Sequence, residues 1–209
     1  MLNAAEILAG LGRIANEAFV YAVLWHVAIG AIAASLWLGW RPSPRLAGGL
    51  LCLPLASVSG FAWAFGNPFN GSSFALVAGI LGWIAWRASS VGLRRPRPWT
   101  AALGGFLVWF AWLYPHFLVG RPAIAYLYGA PMGLIPCPTR SLVIGVSLMG
   151  YGPKTRRWSL VLAAAGVFYA LFGALRLGVV MDLVLLAGSI GLGVRSMVCR
   201  RTAITLRTA

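Results

Sequence analysis

An all-α polytopic transmembrane helix bundle of about seven helices is the fold class predicted by this 209-residue sequence, and three observations predict it. Hydrophobic residues make up 60% of the chain and charged residues only 10%, against roughly 25% charge in soluble globular proteins. The apolar residues gather in runs close to the roughly 20 residues that cross a hydrocarbon core about 30 Å thick. Basic residues fall in the gaps between those runs and alternate in number from gap to gap, as the positive-inside rule requires. A chain of this length holds at most seven or eight crossings, so residues 1–209 form a single membrane domain.

The elements follow in order. In residues 2–14, Ile7, Leu8, Leu11 and Ile14 share one helical face while Asn3, Glu6 and Arg13 lie elsewhere, the pattern of a short helix on the membrane surface. Arg13 is the only early basic residue, and Glu6 and Glu17 flank it. Ala31-Ile32-Ala33 sits inside a long apolar run, so the first span is read as retained and not as a cleaved signal. That span covers about 18–40 and stops at Arg41-Pro42-Ser43-Pro44-Arg45. The second covers 46–65 and contains Pro54, a helix-distorting residue. Residues 66–71 are dense in breakers and read as a turn, with a third span over 72–90.

Arg94, Arg95 and Arg97 follow in the strongest basic loop, and a fourth span covers 99–119 with Pro115 near its end. Residues 121–136 are apolar but punctuated by Pro122, Gly129, Pro131, Gly133 and Pro136, so they read as irregular backbone, tolerable at membrane depth only where protein or water satisfies it. Three shorter spans close the chain over 137–150, 158–175 and 179–194; a six-helix count is the alternative.

Orientation comes from the 17 basic residues. With the N-terminus outside, only Arg13, Arg121, Arg140 and Arg176 fall in outer segments. The other 13 fall inside, from Arg41 and Arg45 through Arg87, Arg94, Arg95, Arg97, Lys154, Arg156 and Arg157 to Arg195, Arg200, Arg201 and Arg207. An odd number of helices, N-terminus out and C-terminus in, satisfies this bias. The formal charge of +14 is therefore read as orientation and as attraction to anionic headgroups on the inner side, with no nucleic-acid partner. Trp37, Trp40, Trp63, Trp83, Trp86, Trp99, Trp109, Trp112 and Trp158 lie mostly near helix ends and read as interfacial belts. Gly188, Gly191 and Gly193 read as a surface for close helix packing.

Several chemistries are excluded within the chain. It has no phosphate-cradling G-x-x-x-x-G-K-[ST], no H-E-x-x-H and no pair of neighbouring acids, since Glu6, Glu17 and Asp182 are its only carboxylates. Cys52, Cys137 and Cys199 are widely spaced, without C-x-x-C, and indicate neither a disulfide framework nor a closed zinc site. His26 lies deep in the first span and must face the bundle interior; Glu17, nine residues before it, is half a turn out of phase and forms no proton pair with it. No cofactor is required by the sequence.

The distinctive stretch is Pro136-Cys137-Pro138-Thr139. One reading puts Pro138 in the first helical turn with Cys137 or Thr139 as a cap. The other puts the thiol in the positive field of the helix N-terminus, where thiolate is favoured, with His116 and Met132 nearby as a soft ligand set for Cu(I) or another thiophilic ion. Asp182 lies in the first turn of the last span and is expected to pair across helix ends with Arg140 or Arg176.

With Tyr114-Pro115 and Pro131 before it, this motif resembles the DUF6064 family of bacterial multi-pass membrane proteins. That family opens a helix with Pro-Cys-Pro-Thr-Thr after a proline-rich outer segment, and it has no assigned function. Asn70-Gly71-Ser72-Ser73-Phe74 resembles its third-helix start, with Gly71 in place of a proline, and Arg140 stands where the family has a second threonine. The resemblance implies the multi-pass architecture and location in a bacterial inner membrane.

The resulting expectation is a protein that binds or passes a small solute or metal ion at an outer-face pocket near the broken start of the fifth span. Tyr114, His116, Arg121, Met132, Cys137, Thr139, Arg140 and Asp182 are its candidate ligands, and Cys137, His116 and Met132 are the metal candidates. The alternative is an accessory subunit, packed against a larger membrane complex or a second copy and without activity of its own. A thiol-using membrane enzyme is a third class.

Overall fold

The computed structural model describes residues 3–88 and 96–205, with side chains described through Met197. Arg94, Arg95 and Arg207, the last residues expected in the third span, and the side chains of Cys199, Arg200 and Arg201 lie outside the described residues. Among the described residues the chain is entirely helical, turn or irregular, with no strand. Five helical stretches among the described residues are long and apolar enough to cross a membrane: Phe19–Trp37, Pro44–Ala64, Pro68–Trp86, Arg156–Arg176 and Val180–Met197.

Helix α1 (Ala4–Glu17) opens with a capping box in which the Asn3 side chain accepts from the Glu6 N–H at 2.8 Å and Glu6 accepts from the Asn3 N–H at 2.9 Å. Only Ala18 separates it from α2 (Phe19–Trp37). Helix α3 (Pro44–Ala64) begins with Ser43 as cap and proline in its first turn, and runs through Pro54. Helix α4 (Pro68–Trp86) corrects the expected turn over 66–71. Pro68 sits at the first helical position, where its missing N–H costs nothing, and the Asn67 side chain accepts from the Asn70 N–H at 3.1 Å. The Asn-Pro opening of this helix is thus Asn67-Pro68, ahead of the expected Asn70–Phe74 stretch.

Helix α5 (Pro98–Leu113) ends six residues before the expected 119. Pro115 disfavours helical backbone at the residue before it, and Tyr114 has already left the helix with φ −15° and ψ 93°. The segment expected to be irregular contains a 3-10 turn, Ala123–Ala125, and one helical turn, α6 (Tyr126–Gly129). Helix α7 (Pro136–Leu148) follows, then α8 (Arg156–Leu171), capped by Thr155 and ending in a π-helical turn, Phe172–Arg176. A 3-10 turn, Val180–Asp182, leads into α9 (Leu183–Thr205), longer than the 179–194 expected.

Contacts define two ends of the bundle. At one end, Asn16 of α1 donates to the Phe117 carbonyl at 2.7 Å and accepts from the Val119 N–H at 3.0 Å, while the Arg13 guanidinium lies 6.0 Å from the Phe65 ring. At the other, basic end, Arg45 donates to the Ala88 carbonyl, and Arg195 donates to the Ser147 and Leu148 carbonyls at 2.7 and 3.1 Å, closing the C-terminus of α7.

Helix α7 occupies the centre. Eleven of its 13 residues are buried, and its Leu148 and Ile144 join Leu107, Phe74 and Trp158 in the main core. It meets α5 at two facing glycines: a Cβ on Gly104 would lie 2.6 Å from the Gly145 carbonyl, and one on Gly145 would lie 2.7 Å from the Gly104 carbonyl. Gly188 and Gly191 of α9 receive Leu107 and Leu103 of α5. Trp37, Trp83 and Trp86 are exposed, whereas Trp158, expected in the belt, is wholly buried and donates to Ser147 at 3.1 Å.

Candidate functional site

The start of α7 is built by Thr139 and not by a cap on Cys137. Gly133 takes a left-handed φ of +81°, a conformation that favours glycine, and its N–H donates to the Thr139 hydroxyl at 2.8 Å. That hydroxyl donates in turn to the Ile135 carbonyl at 2.7 Å. The loop is thereby folded back on the first turn, in which Pro136 stands at the first helical position and Pro138, as expected, lies two residues on. The Cys137 side chain is left free to point away from the helix end.

It points at Asp182. The Cys137 thiol donates to one carboxylate oxygen at 3.0 Å, and the Tyr114 hydroxyl donates to the other at 2.8 Å. Three segments far apart in sequence make this cluster: the residue that ends α5, the second residue of α7 and the last residue before α9. Gly173, in the π-helical turn of α8, permits the approach, because a Cβ there would collide with the Asp182 carboxylate.

The cluster forms one wall of a cavity of about 30 Å³ at the α1 end. Ile7 and Leu11 of α1 roof it, and Asn70 and Tyr169 line it together with Tyr114, Cys137 and Asp182. The Tyr169 hydroxyl donates to the Asn70 side chain at 2.9 Å. A void of this size has room for roughly two waters, and apolar atoms make up most of its lining.

Arg140 lies behind that wall and is 0% exposed. Its guanidinium carbon is 4.2 Å from the Phe74 ring centroid and 4.3 Å from that of Tyr169, yet among the described residues none of its three nitrogens has a hydrogen-bond partner. Two desolvated ring contacts contribute about 2 kcal/mol each. Ring faces offer no lone pair to five N–H donors, and each buried unsatisfied donor costs about 1–3 kcal/mol.

The structure brings together only part of the expected ligand set. Tyr114, Cys137 and Asp182 meet in the cavity wall. Met132 is buried in a separate cluster with Ala111 and Leu142, and His116 packs edge-on to Phe117 at 4.2 Å without lining the cavity. The proposed soft triad of Cys137, His116 and Met132 is thus not assembled, and among the described residues no three His, Cys, Asp or Glu side chains group to hold a metal. The Cys137 sulfur acts as a donor toward a carboxylate, a role open to thiol and closed to thiolate. Asp182 pairs with a hydroxyl and a thiol; among the described residues neither Arg140 nor Arg176 forms an ion pair with it. Arg121 is exposed and stacks over Phe19 at 3.7 Å. His26 is buried against α5, its two ring nitrogens 2.9 and 3.0 Å from the Ala22 and Trp112 carbonyls.

Asn70, Tyr169 and Gly173 were not singled out by sequence. Asn70 was absorbed into the presumed turn over 66–71. Tyr169 did carry a signal, as a hydroxyl within an otherwise apolar span. Comparison with protein-family models, with curated proteins and with solved structures found no match to this chain.

Proposed function

We propose that the protein crosses a membrane seven times, N-terminus out and C-terminus in, and binds or passes a small polar solute at its outer face. The seven crossings are the five long apolar stretches together with α5 and the buried α7. The orientation rests on the basic residues, which gather at the end where Arg45 meets Ala88 and Arg195 closes α7. Anionic headgroups are the partners of that inner end. A bacterial inner membrane is the setting implied by the resemblance of Pro136-Cys137-Pro138-Thr139 to DUF6064 proteins.

The observation that carries the solute reading is the cavity itself. It sits where α5, α7 and α8 all break, and it is walled by the only acid after Glu17, held by a thiol and a phenol. Buried ionisable groups inside a membrane bundle are costly and concentrate along solute and ion pathways. A solute is favoured over a metal ion because the sulfur and nitrogen ligands needed for a thiophilic ion lie apart.

The test uses the purified full chain in mild detergent with Cys137→Ser and Cys137→Ala. A solute that occupies the cavity raises the melting temperature of the wild type and protects Cys137 from a maleimide. Labelling of Cys137 by an impermeant maleimide from the outer side of sealed vesicles checks the orientation. Co-purification of a stoichiometric membrane partner, with no solute protecting Cys137, would favour the accessory-subunit reading instead.

A further inference from the structure

The void beside Cys137 and Asp182, at about 30 Å³, has room for roughly two waters and no larger solute. A solute that reaches these two side chains therefore has to displace one of the walls. Most of the walls are fixed by close packing. Gly104 and Gly145 bring the α5 and α7 backbones into contact, and on α8 Gly173 receives Asp182 while Gly166 receives Ser189. Parting those helices would forfeit all three contacts.

Helix α1 has no contact of that kind: a Cβ on Gly10 or Gly12 would meet nothing within 4 Å. Its apolar face, with Leu11, Ile14 and Ala15 buried, rests on the mouth of the bundle, and Ile7 and Leu11 roof the void. Its other face carries Ala5, Glu6, Ala9, Arg13 and Glu17, and none of its large apolar side chains is exposed. A helix anchored in lipid turns its apolar residues to the acyl chains. This one turns them to the void.

The ties of α1 are all at one end. Among the described residues, its hydrogen bonds to segments beyond α2 come from Asn16 alone, which holds the Phe117 carbonyl and the Val119 N–H. Asn16 lies two residues from Ala18, the single non-helical residue between α1 and α2, with φ −95° and ψ 18°. Hinges are built from a few such element-terminal residues. The anchor also touches the cluster indirectly. Phe117, the one non-glycine with positive φ among the described residues at +78°, stacks on Tyr114 at 6.4 Å, and Tyr114 donates to Asp182.

We propose that α1 is a hinged lid, seen here closed, which swings about residues 16–18, lifts Ile7 and Leu11 off the void and opens Cys137 and Asp182 to the outer side. The inference rests on the solute-site reading and deepens it by supplying the entry route. The experiment uses the full chain in phosphatidylcholine nanodiscs, with no solute, and has two readouts. The first is the rate at which a trimethylammonium methanethiosulfonate reagent modifies Cys137 as the only thiol, after Cys52→Ser and Cys199→Ser. The second is the distance between nitroxide labels at Ala5→Cys on α1 and Leu175→Cys at the exposed end of α8, in a chain lacking the native thiols.

Leu11→Ala and Ile7→Ala weaken the seat of the lid, so each should raise the Cys137 rate by about tenfold or more and move the label distances toward a longer population. Cys52, left as the only thiol in a parallel sample, should keep its rate. A faster Cys137 with unchanged label distances means a hole in the roof and no swing, and overturns the proposal. An equal rise at Cys52 means general loosening and overturns it as well, as does no change in either readout for both variants. Because neither readout uses a solute, a lid that opens over a site no solute protects sinks only the solute reading. Protection of Cys137 by a solute with α1 immobile sinks only the lid.

Discussion

Helices α2 and α7 are the two extremes of this bundle. α2 buries only Ala22 and His26 among 19 residues, and its Val20, Leu24, Val27 and Trp37 are exposed. α7 buries eleven of 13, including Thr139, Arg140, Ser141 and Ser147. In a water-soluble protein the more apolar helix would be the central one. Here the order is reversed, because lipid accepts apolar side chains from every direction and leaves polar groups to the bundle interior. The contrast teaches that polarity marks the centre of this protein, and that α7 is the helix on which both its packing and its candidate site depend.

The sharpest way to break that contrast is Gly145→Leu. The side chain would drive into the Gly104 carbonyl, where only backbone can yield, so a loss of about 3 kcal/mol or more is expected, read as collapse of the monodisperse fraction on size-exclusion chromatography. Next is Asp182→Leu, which strands the Tyr114 hydroxyl and Cys137 thiol in a buried wall and should cost about 2–4 kcal/mol in detergent unfolding. Cys137→Ala removes one donor and should cost about 1–2 kcal/mol, whereas Cys137→Ser keeps a donor and should cost less than about 1 kcal/mol. At the other pole, Trp37→Ala, at a side chain 88% exposed, should change stability within about 0.5 kcal/mol. If the α2 and α7 substitutions proved equally costly, the division into lipid-facing and central helices would be lost.

Legibility from sequence varied with how local the governing interaction is. The apolar runs of α2, α3 and α4 were readable, because spanning length and hydropathy are properties of a single segment. Helix starts were harder. At Asn67-Pro68 the same two residues serve a turn or a cap with a first-turn proline, and a helix following them decides which. Cys137 was conspicuous between its prolines, but its role was not. The helix N-terminus argued for thiolate, while a carboxylate 45 residues away keeps the thiol proton in a hydrogen bond. Arg140 read as one of four cations on the outer side; nothing local distinguished a headgroup contact from burial between Phe74 and Tyr169.

By itself the sequence determined that this chain is helical and apolar enough for a membrane, that its basic residues fall mostly between the apolar runs, and that prolines interrupt the helical pattern between α5 and α7. Those properties follow from composition, spacing and backbone sterics, which act within a few residues. Only the tertiary structure decided which groups meet. It joined Tyr114, Cys137 and Asp182, separated them from Met132, and enclosed Arg140 among rings. Contacts between segments tens of residues apart are set by how helices pack, and α7 packs where two glycines let its backbone touch α5.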